Sequence, residues 1–301
     1  MRSRLLLLLF TFVAILSLNA QQQTMFTQYM FNGLAINPAY AGSHESISAT
    51  ALARVQWVGI EGAPRTQTFS VHSPIPGKNI GLGAFFAHDE LGVTEQNTLY
   101  LSYAYRMQMS KGTLSFGLQG GLRSSSINYS DLGVNDPNLQ SNISEASPNF
   151  GAGLFYSTER FYAGASIPVM MNNEIGSGDN SDVQSKQIRH FFATAGYVFD
   201  LSPVLKLKPS TLIKSVSGAP IEMDINANLI INDLVWFGLS YRSGDSIDLL
   251  FDLQINPQLR FGYAYDYTLS DLGQVNSGSH EFMINYRFVF AKNKIVTPRY
   301  F

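Results

Sequence analysis

Cysteine is missing from all 301 residues. Its absence excludes disulfides, thiolate metal sites and acylation at a lipobox cysteine. Charge is also scarce: Asp, Glu, Lys and Arg make up 14% of the chain, against roughly 25% in ordinary soluble domains. The formal net charge of −2 leaves no basic footprint for nucleic acid. Beyond residue 18 no apolar run approaches the ~20 residues of a spanning helix. The five histidines, His44, His72, His88, His190 and His280, have no metal-like spacing. Ser70 and His72 share a strand face, and Asp89-Glu90 follow His88, but no nucleophile, base and orienter come together. Neither a cofactor nor an enzymatic role is expected.

What is present is two-residue alternation. In Ile221-Glu222-Met223-Asp224-Ile225-Asn226-Ala227-Asn228-Leu229 every odd position is apolar and every even one charged or amide. A strand points successive side chains to opposite faces, so this segment has one oily and one wet face. In an outer-membrane barrel the oily face meets lipid and the polar face lines the lumen; a soluble sandwich would bury the oily face instead. Fifteen Tyr and 21 Phe supply what two interfacial aromatic girdles require.

The N-terminus adds a compartment. Arg2 and Arg4 precede an apolar block from Leu5 to Leu18, then Asn19-Ala20-Gln21, the pattern of a secretory signal cleaved after Ala20. About fourteen strands of near-spanning length, each roughly 9–11 residues, follow between residues 46 and 290. The expected division is a signal peptide (1–20), a periplasmic or lumen-plugging segment (21–45), a transmembrane antiparallel outer-membrane β-barrel (46–290) and a periplasmic tail (291–301).

Connections sort by length. Ser110-Lys111, Ser157-Thr158-Glu159, Leu201-Ser202-Pro203 and Asn232-Asp233 are short, whereas Ser125–Ser147 and Pro168–Ile188 are long and rich in Ser, Asn, Asp and Gly. Short periplasmic turns and long extracellular loops are how bacterial barrels thread, and an even strand number leaves both termini periplasmic. Pro209 falls mid-strand, where a bulge or a shortened strand is expected. Inward parity supplies Arg54, Arg106, Arg123, Lys206, Lys208 and Lys214, then Glu222, Asp224, Asp248, Asp252, Asp266 and Glu281. Lys206/Lys208 and Glu222/Asp224 lie on adjacent strands and are expected to pair. The lumen reads as self-neutralising, with a charge-selective pore as the sharper alternative.

Between the cleavage site and the first strand stands Phe26-Thr27-Gln28-Tyr29-Met30-Phe31-Asn32, then Ile36-Asn37-Pro38-Ala39-Tyr40-Ala41-Gly42. This resembles the N-terminal signature of the PorP/SprF family of Bacteroidota outer-membrane proteins linked to type IX secretion. Arg54-Val55-Gln56-Trp57, Gly62-Ala63-Pro64-Arg65-Thr66, Ser102-Tyr103-Ala104-Tyr105, Ser277-Gly278-Ser279-His280-Glu281 and Pro298-Arg299-Tyr300-Phe301 extend the match along nearly the whole mature chain. The resemblance implies a non-enzymatic barrel that supports export or surface anchoring of large, adhesin-like proteins with a type-B C-terminal domain, in some members with gliding. Implied partners are type IX secretion components, among them a peptidoglycan-binding periplasmic protein. Tyr29, Phe31, Asn37, Pro38, Tyr40 and Gly42 become candidates for a plug or a partner-docking element; a bare lead-in to the barrel is the plainer reading. A transport channel for a small, hydrophobic solute, plugged by the same segment, is the alternative function.

Overall fold

The alternation builds a closed ring. The computed structural model describes residues 25–129, 142–172, 174–175, 185–186, 188–288 and 300–301. Fourteen antiparallel strands form the barrel. They are β1 (Ile47–Val55), β2 (Arg65–Pro74), β3 (Ile80–Leu91), β4 (Thr94–Met109), β5 (Gly112–Ile127), β6 (Ile143–Ser157) and β7 (Phe161–Ile167). The second half is β8 (His190–Tyr197), β9 (Leu205–Val216), β10 (Glu222–Ile231), β11 (Val235–Arg242), β12 (Ser246–Gln254), β13 (Leu259–Thr268) and β14 (Ser279–Phe288). Each strand pairs with its chain neighbours, and β14 returns to β1 from Ile47↔Phe288 to Val55↔His280, so no strand edge is left open.

The faces follow parity. Ile225 is 51% exposed while its neighbour Asn226 is 1% exposed, and the same inversion separates Leu101 from Ser102. Exposed tyrosines lie toward the two ends of the wall, Tyr105 and Tyr286 at one and Tyr241 and Tyr267 at the other, while Phe69, Phe86 and Phe150 face out between them. Pro209 produces neither a bulge nor a short strand. Register runs unbroken through Pro209↔Ala227 on the β10 side. On the other side the bridges stop at Gly196↔Ser210 and resume at Phe199↔Leu207. The residue without an N–H therefore costs a local gap in one ladder, not a shift of frame.

Connections divide between two rims. Both long ones lie on one rim, hereafter the loop end; the opposite rim carries the short turns, the start of β1 and the end of β14. The loop end is not uniformly long, since Gly92-Val93 alone joins β3 to β4. Strands β5 and β6 also run further than expected and take up Ser125–Ile127 and Ile143–Ser147. Asn138 and Gly178, at the tips of the expected loops, lie outside the described residues.

Residues 25–44 occupy the lumen as three 3-10 turns, Tyr29–Phe31, Gly33–Ala35 and Pro38–Tyr40. The segment starts at the loop end, where Thr27 meets Asp266 and Glu281, and reaches the turn end, where Gly42 meets His72. It then feeds β1. Every residue from Phe26 to His44 is buried.

Candidate functional site

Three sets of wall residues hold the lumen segment. At the loop end the Glu281 carboxylate accepts the backbone N–H groups of Thr27 (2.9 Å) and Gln28 (2.8 Å). Thr27 also donates its hydroxyl to Asp266 at 2.8 Å. Arg54 ties both acids together, with Nη2 at 2.7 Å from Asp266 and Nη1 at 3.1 Å from Glu281. Two backbone N–H groups and a guanidinium thus satisfy the oxygens of this buried carboxyl group. Arg242 continues this network to Asp224 at 3.2 Å.

Midway, short polar contacts hold two side chains and one main-chain carbonyl of a segment that has no ladder of its own. Asn226 donates to the Tyr29 hydroxyl at 2.8 Å, Ser70 to Asn32 Oδ1 at 2.7 Å, and Ser166 to the Ile36 carbonyl at 2.6 Å. A wall partner for the Ile36 carbonyl is what burial of irregular backbone demands.

The third set explains Asn37-Pro38-Ala39-Tyr40-Ala41-Gly42 residue by residue. Asn37 is extended and its side-chain oxygen accepts the Ala39 N–H at 2.9 Å, capping the turn, with Pro38 at the first helical position. Its amide donates to the Leu154 carbonyl at 2.9 Å. Ala39 lies so close to β5 that a Cβ on Gly117 would fall 2.1 Å from its nitrogen. Likewise a Cβ on Gly81 would meet the Ala41 carbonyl oxygen at 2.1 Å. Tyr40 packs edge-on against Phe155 and His72, with centroids 5.4 and 5.3 Å apart. Gly42 adopts φ +72°, a conformation that favours glycine, and its N–H donates to His72 Nδ1 at 3.2 Å. Gly121 does not serve the segment, since a Cβ there would strike Leu99 and Tyr100 of the wall.

The candidate lumen charges divide in the same way. Arg54, Asp224 and Asp248 belong to the loop-end network, and Glu222 joins that rim by pairing with Lys214 at 3.1 Å. Arg123 donates to Thr98 at 3.3 Å on the same rim, while Arg106 lies toward the turn end. The expected pairing of Lys206/Lys208 with Glu222/Asp224 does not occur. Register sets Lys208 opposite Asn228 and Lys214 opposite Glu222, so the lysines and acids sit at opposite ends of one hairpin. Lys206 instead holds Asp233 in the β10–β11 turn and donates to the Tyr300 hydroxyl at 2.6 Å. Asp252 is fully buried near Lys208 and Arg260.

Sequence reasoning missed Arg242 and Arg260, although Arg260 shares parity with Asp266, which it had placed inside, and Arg242 shares its face with the buried Trp236 and Ser240. It also missed Tyr300 and Phe301, which pack back into the lumen and are each 9% exposed. Cavities beside the segment measure about 10 and 20 Å³, room for a water at most. Wider hollows of about 570 Å³ at the loop end and about 680 Å³ at the turn end flank the filled centre.

A family model described as type IX secretion system membrane protein PorP/SprF matches residues 18–286, which includes the lumen segment and nearly the whole wall. The chain belongs to the PorP/SprF family. It is accordingly an outer-membrane barrel of the type IX secretion system. Among proteins of curated function no sequence matches significantly. Solved barrels are similar only at low identity. Omp33 of Acinetobacter baumannii is 8% identical, over 81% of this chain and 98% of that one, at a TM-score of 0.49. A FadL homologue of Pseudomonas aeruginosa is 11% identical over 84% and 93%, at 0.47. The translocator domain of the autotransporter NalP of Neisseria meningitidis is 12% identical over 81% and 89%, at 0.42. Within this PorP/SprF chain, the motif that carried the resemblance is the part of the lumen segment that touches β3, β5 and β6 most closely.

Proposed function

We propose that this PorP/SprF barrel is a non-enzymatic accessory of the type IX system that supports export or surface anchoring of a large, adhesin-like protein with a type-B C-terminal domain. The observation that carries the reading is the filled lumen. A segment tied down by a buried ion network, an N-capped turn and main-chain packing against glycines makes a rigid body, not a passage. A solute channel would have to expel that segment at each transit, breaking charged hydrogen bonds worth about 1.5–3 kcal/mol apiece. With the centre closed, function falls to the two rims.

The loop end faces outward and the turn end faces the periplasm, in keeping with how bacterial barrels thread. The chain therefore enters β1 and leaves β14 on the periplasmic side, where a peptidoglycan-binding partner would meet it. Met25 nonetheless lies at the opposite rim, because the segment crosses the lumen before β1 begins. Threading in this sense requires that the apolar block Leu5–Leu18 be removed first, which gives cleavage near Ala20 a structural purpose.

The test is deletion of the gene followed by proteomics of the surface and secreted fractions. Loss of one large surface protein with a type-B C-terminal domain, restored by the intact chain, is the expected result. An unchanged surface proteome together with lost uptake of a small hydrophobic solute would overturn the reading in favour of a channel.

A further inference from the structure

Tyr300 and Phe301 occupy a built slot whose chemistry is that of peptide recognition. Lys208 is fully buried and donates from Nζ to the Tyr300 main-chain carbonyl at 2.5 Å. Four rings surround that ammonium, with centroids at 5.8 Å for Phe31, 5.4 Å for Tyr162, 5.4 Å for Trp236 and 5.9 Å for Phe301. The occupant thus contributes one wall of its own aromatic cage. Phe301 packs on Tyr162 at 4.9 Å, and the Tyr300 hydroxyl oxygen accepts a hydrogen bond from Lys206 Nζ. Three features of the ligand are read at once: a phenol, the carbonyl after it, and a following ring. Arg260 backs the slot, 4.8 Å from the Phe31 ring and 4.6 Å from the Trp236 ring.

We propose that this slot, at the turn end of the lumen, is a binding site for a Tyr-Phe peptide segment, held in cis by Tyr300–Phe301 and open in trans once that pair is displaced. The contacts are directional and partly charged, so they specify a ligand more than they glue a tail. Tethering lowers the affinity that cis occupancy needs: attachment to the same chain supplies an effective concentration on the order of mM, so a Kd of about 0.1 mM keeps the slot about nine-tenths filled. A competing segment of the same chemistry on a partner needs only to exceed that threshold. Because Phe31 belongs to the lumen segment and also lines the slot, exchange of occupant would be felt by the plug.

The experiment uses the refolded barrel in detergent and a fluorophore-labelled peptide with the sequence of residues 297–301, read by anisotropy. A variant lacking Tyr300 and Phe301 should bind the peptide saturably, about tenfold or more tighter than the full chain does, since the full chain carries its own competitor. Lys208→Met in the shortened background should weaken binding by about tenfold, the factor expected for one charged hydrogen bond. A peptide with Ala at both aromatic positions should not bind. The full-length double variant Tyr300→Ala, Phe301→Ala serves as the same test with chain length preserved. Folded variants, judged by heat-modifiable gel mobility, that show no saturable binding up to ~1 mM, the cis effective concentration, would overturn the proposal. So would equal binding by the full chain, or failure of both variants to fold, which would make the pair a structural seal instead of an exchangeable ligand.

Discussion

At the loop end Thr27 and Gln28 hang from Glu281 and the Arg54–Asp266 pair, whereas at the turn end Ala39 and Ala41 press main chain onto main chain at Gly117 and Gly81. The first attachment is electrostatic, with three charged side chains each at most 3% exposed and dependent on one another. The second is steric, dependent on the absence of a Cβ. An electrostatic anchor fails when one partner is removed; a steric one fails when an atom is added. The two ends of one plug can therefore be broken separately by opposite kinds of substitution.

The largest effect is expected at the charged end. Arg54→Met takes the cation from Glu281 and leaves Asp266 only the longer cation contact to Arg242 at 3.9 Å, and breaking a buried ion pair from one side costs about 3–5 kcal/mol. The exposed Arg160–Asp200 pair, 54% and 38% exposed, is the contrast. Arg160→Met should cost under ~1 kcal/mol. Urea unfolding of the refolded barrel measures both, and equal losses would dissolve the distinction between anchor and surface pair.

A wall-only lesion separates the barrel from its contents. Ile225→Arg places charge on the lipid face near mid-wall and should cost about 2–4 kcal/mol while both anchors stay intact. Asn226 is no neutral control, because it is 1% exposed and bonded to Tyr29. Gln96→Arg, on the inner face at the open loop-end hollow, should be tolerated. If both variants fold alike, the assigned faces are wrong.

At the steric end Gly117→Ala forces a methyl into the Ala39 backbone and should cost about 1–3 kcal/mol, as overpacking does. Gly120→Ala is its neighbour with nothing within 4 Å and should change little. Limited proteolysis after Tyr29–Gly42 is the sharper readout, since Gly117→Ala should release the segment while heat-modifiable mobility persists. Equal protection in the two variants would remove the steric anchor.

Strand number and faces were legible because period-two alternation is a local property, as Ile225 and Asn226 illustrate. The ring's ligands to the segment, Glu281 and Arg54, were legible as inward charges but not as partners, since they are joined by the β1–β14 closure across 227 positions of chain. The lysines of β9 were misassigned for a related reason. Adjacent strands promise proximity only once register is fixed, and the hairpin between β9 and β10 turns near Glu222, far from Lys206 and Lys208. The return of Tyr300 and Phe301 into the lumen left no periodic trace at all. The motif at residues 37–42 was recognisable as a signature, yet only the geometry says why each position is what it is.

The smallest change in stability is expected from the cap, and it is the most telling for function. Asn37→Ala removes the acceptor that receives the Ala39 N–H and the donor to Leu154, and cap loss costs about 0.5–2 kcal/mol. The barrel has thirteen hairpins and a closed edge to hold it, so heat-modifiable mobility should be unchanged. The turn Pro38–Tyr40, however, loses its fixed entry angle, and with it the seat of Tyr40 between His72 and Phe155. Asn37→Asp sharpens the case, because a carboxylate can still accept from Ala39 but can no longer donate to Leu154. If the segment shapes a partner-binding rim, surface cargo should fall with Asn37→Ala and fall less with Asn37→Asp. Normal cargo in both, alongside a normal barrel, would reduce the segment to a filler of the lumen and move the docking role to the loops.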